Sequence, residues 1–371
     1  MSALNAAEDE RWMAAALRFG RRGMGLAAPN PSVGALILRD GVVVGRGVTA
    51  PGGRPHAETI AIAEAGEAAR GATLYVTLEP CAHYGVTPPC AEAIVAAGIA
   101  RVVCPIEDPD ARVAGAGLAI LRRAGVVVTL GRGAEAARRD HRGHILRVVE
   151  GRPAVTLKLA RTADGYAAGD HHDARLAITG EAANSAVQAM RSLNDAIMIG
   201  VGTARDDDPL LTVRLPGVEQ RPLRVVLDSR LSLPLRSRLC ATATEFPTLV
   251  IAAREADPAR EAALVERGVE TARVDGDASG RVDLGEALRL LARRGLTRVF
   301  SEGGPRVAAR LIALGLADEV ALFTALKPLG RPGLPALDAA AYAALADTAR
   351  YRESEKAVYG GDALRRWERT R

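Results

Sequence analysis

The stretch from His56 to Cys90 limits what this chain can fold into more than any other part of it. Glu58 lies two residues after His56, and a strand-like run then leads to Cys81 and later to Cys90. A neutral imidazole and two thiolates are common zinc ligands, and a catalytic zinc site keeps three protein ligands and one open position. The fold is therefore expected to bring His56, Cys81 and Cys90 together, with Glu58 beside them.

Both groups of ligands lie where helices are expected to begin. His56 opens the alanine-rich run 57–65, and two prolines precede Cys90 at the start of the run 91–97. Proline is favoured in the first turn of a helix. The partial positive charge of a helix N-terminus lowers the pKa of a thiol, which favours thiolate ligands.

An H-x-E motif followed by Pro-Cys and a second Cys is typical of zinc deaminases. A bound zinc lowers the pKa of its water, which can then attack an amino-bearing ring carbon near neutral pH. Glu58 is the expected proton shuttle from the water to the ring nitrogen and to the leaving ammonia. Cys81 and Cys90 could instead be core residues, and His83 could compete as a ligand. The ordered combination of motifs favours the zinc site.

The cysteine spacing and several neighbouring segments resemble one enzyme family. Common base deaminases have Pro-Cys-x-x-Cys, whereas eight residues separate Cys81 from Cys90 here. The segment PCAHYGVTPPC is similar to the deaminase half of the bifunctional deaminase/reductases of riboflavin biosynthesis. Five further segments fit that family: NPSVG at 30–34, HAE at 56–58, VTLEPC at 76–81, Asp108-Pro109 and VAGAG at 113–117. The family usually has a second Asn-Pro after Asp108-Pro109, and this chain has Asp110-Ala111 there.

The second half of the chain resembles the reductase half of the same family, which has a dihydrofolate-reductase-like fold. The matching segments, in the family's order, are KLA at 158–160, Asp164-Gly165, ITG at 178–180, VGT at 201–203, DDPLLTVR at 207–214, Asp228-Ser229 and EGGP at 302–305. The strand expected over 297–301 runs into Gly303-Gly304 and then a helix, which lets a phosphate approach the backbone and the helix N-terminus. A plain strand-to-helix turn is the alternative, and the resemblance favours a phosphate of NADPH.

The resemblance also implies contact residues in each half. Asn30 would contact the pyrimidine of the substrate, although Asn-Pro is also a common turn dipeptide. NADPH contacts are implied at Arg161, Thr203, Asp207, Ser229, Gly304 and Pro305, and substrate contacts at Arg191, Leu211, Arg214 and Glu302. An arginine suits a sugar phosphate because its planar fork pairs with two oxygens. Arg191 could instead be a solvated helix charge, and the run 206–208 a solvated loop.

The chain departs from the family around the expected reductase pocket. Arg161 takes a position that is small in relatives. Relatives usually carry a Ser and a Trp where this chain has Ala174-Arg175-Leu176-Ala177, and the preceding Asp-His-His-Asp at 170–173 is also unusual. A deaminase fused to a binding or structural module that does not reduce therefore remains an alternative.

The 371 residues predict two α/β domains, 1–149 for the deaminase and 150–371 for the reductase. In the first, a helix at 8–19 precedes a hairpin around Asp40-Gly41. Strands at 72–78, 101–106 and 126–130 alternate with the helix after His56 and helices at 90–97 and 115–123. Such alternation predicts a layered sheet with helices on its faces, and the resemblance implies a cytidine-deaminase-like three-layer fold.

The second domain follows a boundary expected near 149–153, where Glu150-Gly151-Arg152-Pro153 breaks the pattern. Its predicted strands are 154–160, 195–200, 223–228, 248–252, 269–274, 297–301 and 319–325, and its predicted helices are 181–192, 259–267, 284–294 and 306–314. The segment GRGAEA at 131–136 resembles a dinucleotide fingerprint but lacks the βαβ return. It predicts a turn into a short connecting helix, on which His141 and His144 are expected to be solvated.

Net charge and aromatic content limit the kinds of binding partner that this chain is expected to have. The net charge of +5 suits either nucleic acid or a phosphorylated small substrate, but aromatic residues make up only 3% of the chain. A nucleic-acid base deaminase is therefore the weaker alternative, and a small phosphorylated pyrimidine is the expected partner.

Four cysteines show no disulfide framework, and Cys104 is expected to be a buried strand residue. No signal peptide or membrane span is expected, the cytoplasm is the expected compartment, and a homo-oligomer stays open.

Overall fold

The structure is a computed structural model that describes residues 6–85, 88–169 and 176–370. The chain forms two compact units, Met1–Arg152 and Pro153–Arg371. The unusual segment 170–173 and the first two residues of Ala174-Arg175-Leu176-Ala177 lie outside the described residues. Within the described ranges, no helix is both long and apolar enough to cross a membrane.

The first unit is built on a five-stranded sheet in the order β2-β1-β3-β4-β5. The strands are β1 (Gly34–Arg39), β2 (Val42–Val48), β3 (Thr73–Val76), β4 (Arg101–Cys104) and β5 (Val127–Leu130). β1 is antiparallel to both β2 and β3, whereas β3, β4 and β5 are parallel. The predicted hairpin is confirmed, since Asp40 and Gly41 connect β1 and β2 with φ of 53° and 77°.

The α-helices of this unit, within the described residues, are α1 (Ala6–Gly20), α2 (Ala57–Ala65), α3 (Cys90–Ala96), α4 (Ala116–Arg123), α5 (Ala134–Asp140) and α6 (Arg142–Val149). α2 packs closely on β2. A Cβ atom on Gly47 would lie 2.0 Å from the carbonyl oxygen of Ala57, and one on Gly45 would lie 2.2 Å from that of Ala61. These glycines therefore allow the approach that fixes the start of α2 against the sheet.

The expectation that His141 and His144 are solvated is wrong. His141 is only 2% exposed, and its Nε2 lies 3.1 Å from Oγ1 of Thr77. Nε2 of His144 lies 2.9 Å from Oδ1 of Asp108. The short connecting helix was predicted correctly. However, α5 and α6 pack against the rest of the unit, so that both imidazole rings contact polar side chains distant in sequence. Cys104 is fully buried at the end of β4, as expected.

The second unit is built on a nine-stranded sheet in the order β11-β10-β9-β8-β12-β6-β13-β16-β15. The strands are β6 (Ala154–Arg161), β8 (Ala196–Gly200), β9 (Leu223–Leu227), β10 (Thr248–Ala253), β11 (Glu270–Val274), β12 (Arg298–Ser301), β13 (Glu319–Thr324), β15 (Tyr351–Tyr359) and β16 (Asp362–Arg369), and β7 (Tyr166–Ala168) pairs with β14 (Leu334–Pro335) in a small separate sheet. β16 is antiparallel to β13 and β15. The other pairs of the large sheet are parallel.

The helices of this unit are α7 (Glu181–Ser192), α8 (Val201–Asp207), α9 (Arg238–Ala241), α10 (Pro258–Val265), α11 (Leu284–Arg293), α12 (Pro305–Ala313) and α13 (Ala339–Ala346). Side chains of the central strands alternate between two hydrophobic clusters. In β8, Ala196 and Met198 belong to one cluster, and Ile197 and Ile199 belong to the other. The sheet is thus buried on both faces, as expected for parallel strands.

The C-terminal hairpin of β15 and β16 was not predicted. Along β15 the residues alternate strictly between exposed and less exposed positions, and most of them are polar. Only a few large apolar side chains, such as Leu364 and Trp367 on β16, are buried. The hairpin is specified by its pairing with β13, which a local hydrophobic pattern does not reveal.

Candidate active sites

The predicted metal ligands meet in the first unit. Nδ1 of His56 lies 3.3 Å from Sγ of Cys90 and 3.7 Å from Sγ of Cys81, and the three ligand atoms all lie within 4.8 Å of one another. His56 immediately precedes α2, and Cys90 is the first residue of α3. One ring nitrogen and two sulfurs converging in this way form a donor set that fits zinc.

The pKa values of the two thiols in this cluster shift in opposite directions, and that of the neighbouring carboxyl group is raised. A hydrogen bond from the Cys90 thiol and another from His56 lower the pKa of Cys81 to about 4, whereas the same interaction with Cys81 and burial raise the pKa of Cys90. Glu58 is 4% exposed in the first turn of α2. Burial, followed by the charge of Cys81, raises the pKa of Glu58 to about 7.

Asn30 lies at the same cluster, on the side of His56 away from the sulfurs. Its Nδ2 donates to the carbonyl oxygen of Gly53 at 2.8 Å and lies 3.3 Å from Nε2 of His56. Gly53 has a φ of 87°, and a Cβ atom there would lie 2.8 Å from Cβ of Asn30. Only glycine suits that position, so the turn before His56 is shaped around Asn30.

Glu79 organises the loop beside this cluster, and the sequence reading missed it. The carboxylate is 4% exposed and accepts hydrogen bonds from the N–H groups of Asp108 (3.0 Å), Gly115 (2.9 Å) and Gly117 (3.0 Å). Glu79 stands two residues before Cys81, so it ties the loop 108–117 to the ligand. The available signal was a carboxylate at the end of a buried strand, where it needs donors.

In the second unit, the turn formed by Gly303 and Gly304 lies at the carboxyl ends of two neighbouring parallel strands, β8 and β12. The N–H group of Gly304 donates to Oγ1 of Thr203 at 3.1 Å, and Pro305 begins α12. A Cβ atom on Gly303 would lie 2.7 Å from Val307, and one on Gly304 would lie 3.1 Å from Oγ1 of Thr203. Thr203, Gly304 and Pro305 are therefore brought together at the edge where such sheets bind ligands.

The residues expected at the reductase substrate also converge. Arg191 is 8% exposed, so it is not a solvated helix charge. Its guanidinium donates to both carboxylate oxygens of Glu302, at 2.5 and 3.0 Å, and to the carbonyl oxygen of Thr212 at 2.9 Å. Burial would raise the pKa of Glu302, but the charge of Arg191 outweighs it and the pKa is lowered. Leu211 immediately precedes Thr212 in the chain. The pKa of Arg214 is lowered by burial and by the like charges of Arg191 and Arg238.

The remaining expected cofactor residues have the following surroundings. Oγ of Ser229 accepts a hydrogen bond from the N–H group of Val282 at 2.9 Å, and Asp207 is the last residue of α8. Arg161 donates to Oγ1 of Thr324 at 2.9 Å and to the hydroxyl of Tyr342 at 2.7 Å. It lines a cavity of about 420 Å³ together with Ala163, Asp164, Gly165, Tyr166, Pro335, Leu337 and Tyr342.

Comparisons with known proteins agree with both units. Residues 6–106 match the family model of the cytidine and deoxycytidylate deaminase zinc-binding region, and residues 153–343 match that of the RibD C-terminal domain. The riboflavin biosynthesis protein RibD of Aquifex aeolicus is 38% identical over 322 residues, covering 87% of this chain and 88% of that protein. RibD of Escherichia coli is 36% identical over 337 residues, covering 87% of this chain and 89% of that protein.

Solved structures of the same kind match most of the chain. Acinetobacter baumannii RibD in its form 1 gives a TM-score of 0.84 at 33% identity, covering 99% of this chain and 100% of that one. A Thermotoga maritima diaminohydroxyphosphoribosylaminopyrimidine deaminase/5-amino-6-(5-phosphoribosylamino)uracil reductase gives 0.82 at 32% identity, covering 98% and 99%.

Fold and sites together define a bifunctional enzyme, with a cytidine-deaminase-like unit of the zinc-binding type followed by a reductase unit. The chain belongs to the RibD family of riboflavin biosynthesis proteins. The resemblance read from the sequence, the predicted fold class and the predicted pair of activities, hydrolase and oxidoreductase, are thereby confirmed.

Proposed function

We propose that the first unit removes the 2-amino group of 2,5-diamino-6-(5-phosphoribosylamino)pyrimidin-4-one by hydrolysis. The second unit then reduces the C1′ carbonyl of the opened ribosyl group with NADPH and gives the ribityl side chain. The observation that carries this proposal is the convergence of His56, Cys81 and Cys90 beside the buried carboxyl of Glu58. The substrate class is supported by the name of the Thermotoga maritima relative.

His56, Cys81 and Cys90 would hold one zinc ion per chain, in line with the donor set. A bound zinc supplies a water that is acidic enough to react near neutral pH. Glu58 would accept a proton and return it to the ring nitrogen and the departing ammonia, because burial brings its pKa close to neutrality. Asn30 would hold the pyrimidine edge next to His56.

In the second unit, the turn at Gly303-Gly304 leaves room on the backbone for the phosphates of NADPH, which supplies the hydride. Thr203 and Pro305 belong to the same turn, and we assign Arg161, Asp207 and Ser229 to the cofactor as well. The substrate would lie against Arg191, Leu211, Arg214 and Glu302. Arg191 is hydrogen-bonded to Glu302, and we assign Arg214 as a cation for the phosphate of the substrate.

These activities assign 1–149 as the deaminase domain and 150–371 as the reductase domain. The expected partner is the phosphorylated pyrimidine rather than nucleic acid, and the expected compartment is the cytoplasm. The decisive experiment supplies the purified chain with the deaminated intermediate and follows NADPH oxidation. Oxidation coupled to the ribityl product supports the bifunctional assignment. A chain that deaminates the diaminopyrimidine in a separate assay but oxidises no NADPH with the intermediate would support a module that does not reduce, the alternative raised by the departure at 174–177.

A further inference from the structure

The segment 210–214 of the second unit has an unusual backbone. It lies between α8 and β9, outside any helix or strand. Leu211 has a φ of 50° although it is 3% exposed. A side chain with a Cβ atom rarely adopts this left-handed region, and outliers of this kind are concentrated at functional sites.

Side chains from other elements hold this segment at three points. Nη1 of Arg224 donates to the carbonyl oxygen of Leu210 at 3.1 Å, and Nη1 of Arg191 donates to that of Thr212 at 2.9 Å. The two carbonyls that flank Leu211 are thus each held by a guanidinium. Oε1 of Gln188 accepts from the N–H group of Arg214 at 2.9 Å.

The backbone N–H groups of Leu211 and Thr212 lie between these points, and no described residue accepts a hydrogen bond from them. Leu211 and Thr212 are 3% and 6% exposed. Buried N–H groups are almost always paired, so these two call for an acceptor from a ligand.

Arg224 is an unfavourable choice of residue if its role is only to stabilise the fold. It is fully buried, and its hydrogen bonds go to neutral acceptors. These acceptors are Leu210, Leu239, Thr242, Phe246 and Thr248. A buried charge without a counter-charge carries a large desolvation cost. This cost suggests a role that an apolar side chain could not fill, such as holding the carbonyl oxygen of Leu210 by a hydrogen bond.

We propose that Arg224 and Gln188 are positioning residues of the reductase site, which hold segment 210–214 so that the N–H groups of Leu211 and Thr212 bind acceptor oxygens of the phosphorylated substrate. Arg224 acts through the carbonyl of Leu210, and Gln188 acts through the backbone of Arg214. This inference rests on the proposed reductase function, because it assigns these donors to its substrate.

The test compares reductase kinetics of Arg224→Gln, Arg224→Met and Gln188→Leu with the wild type. Each variant should raise the KM for the deaminated substrate by about tenfold or more, because small displacements of positioning groups are costly. NADPH affinity and deamination should change little. Arg221→Met is the matched control, since Arg221 also stacks on Phe246 but its side chain donates to Glu245 rather than to segment 210–214.

A double-mutant cycle separates positioning from general support of the fold. Glycine adopts positive φ freely, so in a Leu211→Gly background the left-handed backbone depends less on Arg224. The increase in KM caused by Arg224→Gln should therefore be smaller in that background than in the wild type. Equal increases in both backgrounds would overturn the proposal, since independent effects multiply.

The outcomes also distinguish this inference from the function on which it rests. A wild type that oxidises no NADPH with the deaminated substrate removes the proposed function. A wild type that reduces normally, together with an unchanged KM in folded Gln188→Leu and Arg224→Gln variants, removes the positioning role alone. If Arg224 variants fail to bind NADPH, the half-buried Gln188→Leu variant decides the question.

Discussion

Arg191 and Glu302 form two hydrogen bonds of 2.5 and 3.0 Å, although 111 residues separate them in the sequence. The pair joins α7 to the turn that follows β12, and both side chains are largely buried. Paired guanidinium and carboxylate groups of this kind are strong and directional. The pair fixes Glu302 at the carboxyl ends of the strands, and the positive charge of Arg191 is balanced by the carboxylate of Glu302.

Replacing Glu302 by glutamine should destabilise the second unit in a pH-dependent way. The pKa of Glu302 is lowered, so its stabilising contribution is complete above its ordinary pKa and is lost as the pH falls through the lowered value. At about pH 7 the variant would leave Arg191 buried without a counter-charge, which costs about 3 kcal/mol or more. At about pH 3 the difference from the wild type should shrink. Denaturant unfolding at both pH values measures this.

Glu353→Gln is the matched control for that experiment. Glu353 also pairs with an arginine, Arg365, but the latter side chain is 48% exposed. Exposed pairs contribute little to stability. An equal loss of stability in Glu302→Gln and Glu353→Gln would contradict the importance assigned to the buried pair.

Cys81→Ser should abolish zinc binding and deamination while NADPH-dependent reduction continues. A serine hydroxyl is a poor zinc ligand in comparison with a thiolate, and the three-ligand site would lose one of its two sulfurs. Metal analysis and assays of both half-reactions measure the effect. Cys104→Ser changes a fully buried cysteine outside the cluster and should retain zinc. A full zinc content in Cys81→Ser would remove the ligand assignment.

Glu58→Gln should retain zinc and lose deamination. The ligands remain, but the amide cannot exchange the protons that Glu58 is proposed to carry, and groups of this kind typically contribute about 10²–10⁴-fold. Turnover measured beside zinc content separates the two roles. Glu64→Gln alters the same helix at a side chain that is 44% exposed, and it should be nearly silent. Near-normal turnover of Glu58→Gln would assign the proton transfers to another group.

The metal cluster and much of the fold could be predicted because they depend on local patterns. The spacing of His56, Cys81 and Cys90 matches a known motif. An alanine-rich run after His56 and two prolines before Cys90 indicate the helices that begin there. Most predicted strands and helices were found within a few residues of their expected bounds. Short, strongly apolar strands such as β8 are recognisable because parallel sheets bury both of their faces.

What could not be predicted depends on contacts between distant segments. The hydrogen bonds that Glu79 accepts from the loop at 108–117 have no local signature, and neither has the contact between His144 and Asp108. Arg191 reads as an ordinary helix charge until the fold places it against Glu302. The C-terminal hairpin likewise depends on its pairing with β13.

The turn at Gly304 offers the sharpest test that the two active sites are independent. Gly304 has φ of −62° and ψ of 178° and caps the N-terminus of α12. Aspartate is favoured at such a position, so Gly304→Asp should leave the helix intact. Its carboxylate would nevertheless occupy the space beside Thr203 and repel the phosphates of NADPH.

We therefore expect Gly304→Asp to weaken NADPH affinity by about tenfold or more, since juxtaposed like charges are costly, and to cut reduction accordingly. Zinc content and deamination should stay at wild-type levels, because every proposed metal ligand belongs to the first unit. Gly304→Ser, a neutral cap of similar size, separates the effect of charge from that of volume. Titration with NADPH and assays of both half-reactions measure the outcome. Unchanged NADPH affinity in Gly304→Asp would mean that the turn only connects β12 to α12. Loss of both activities in a folded variant would mean that the two sites depend on each other.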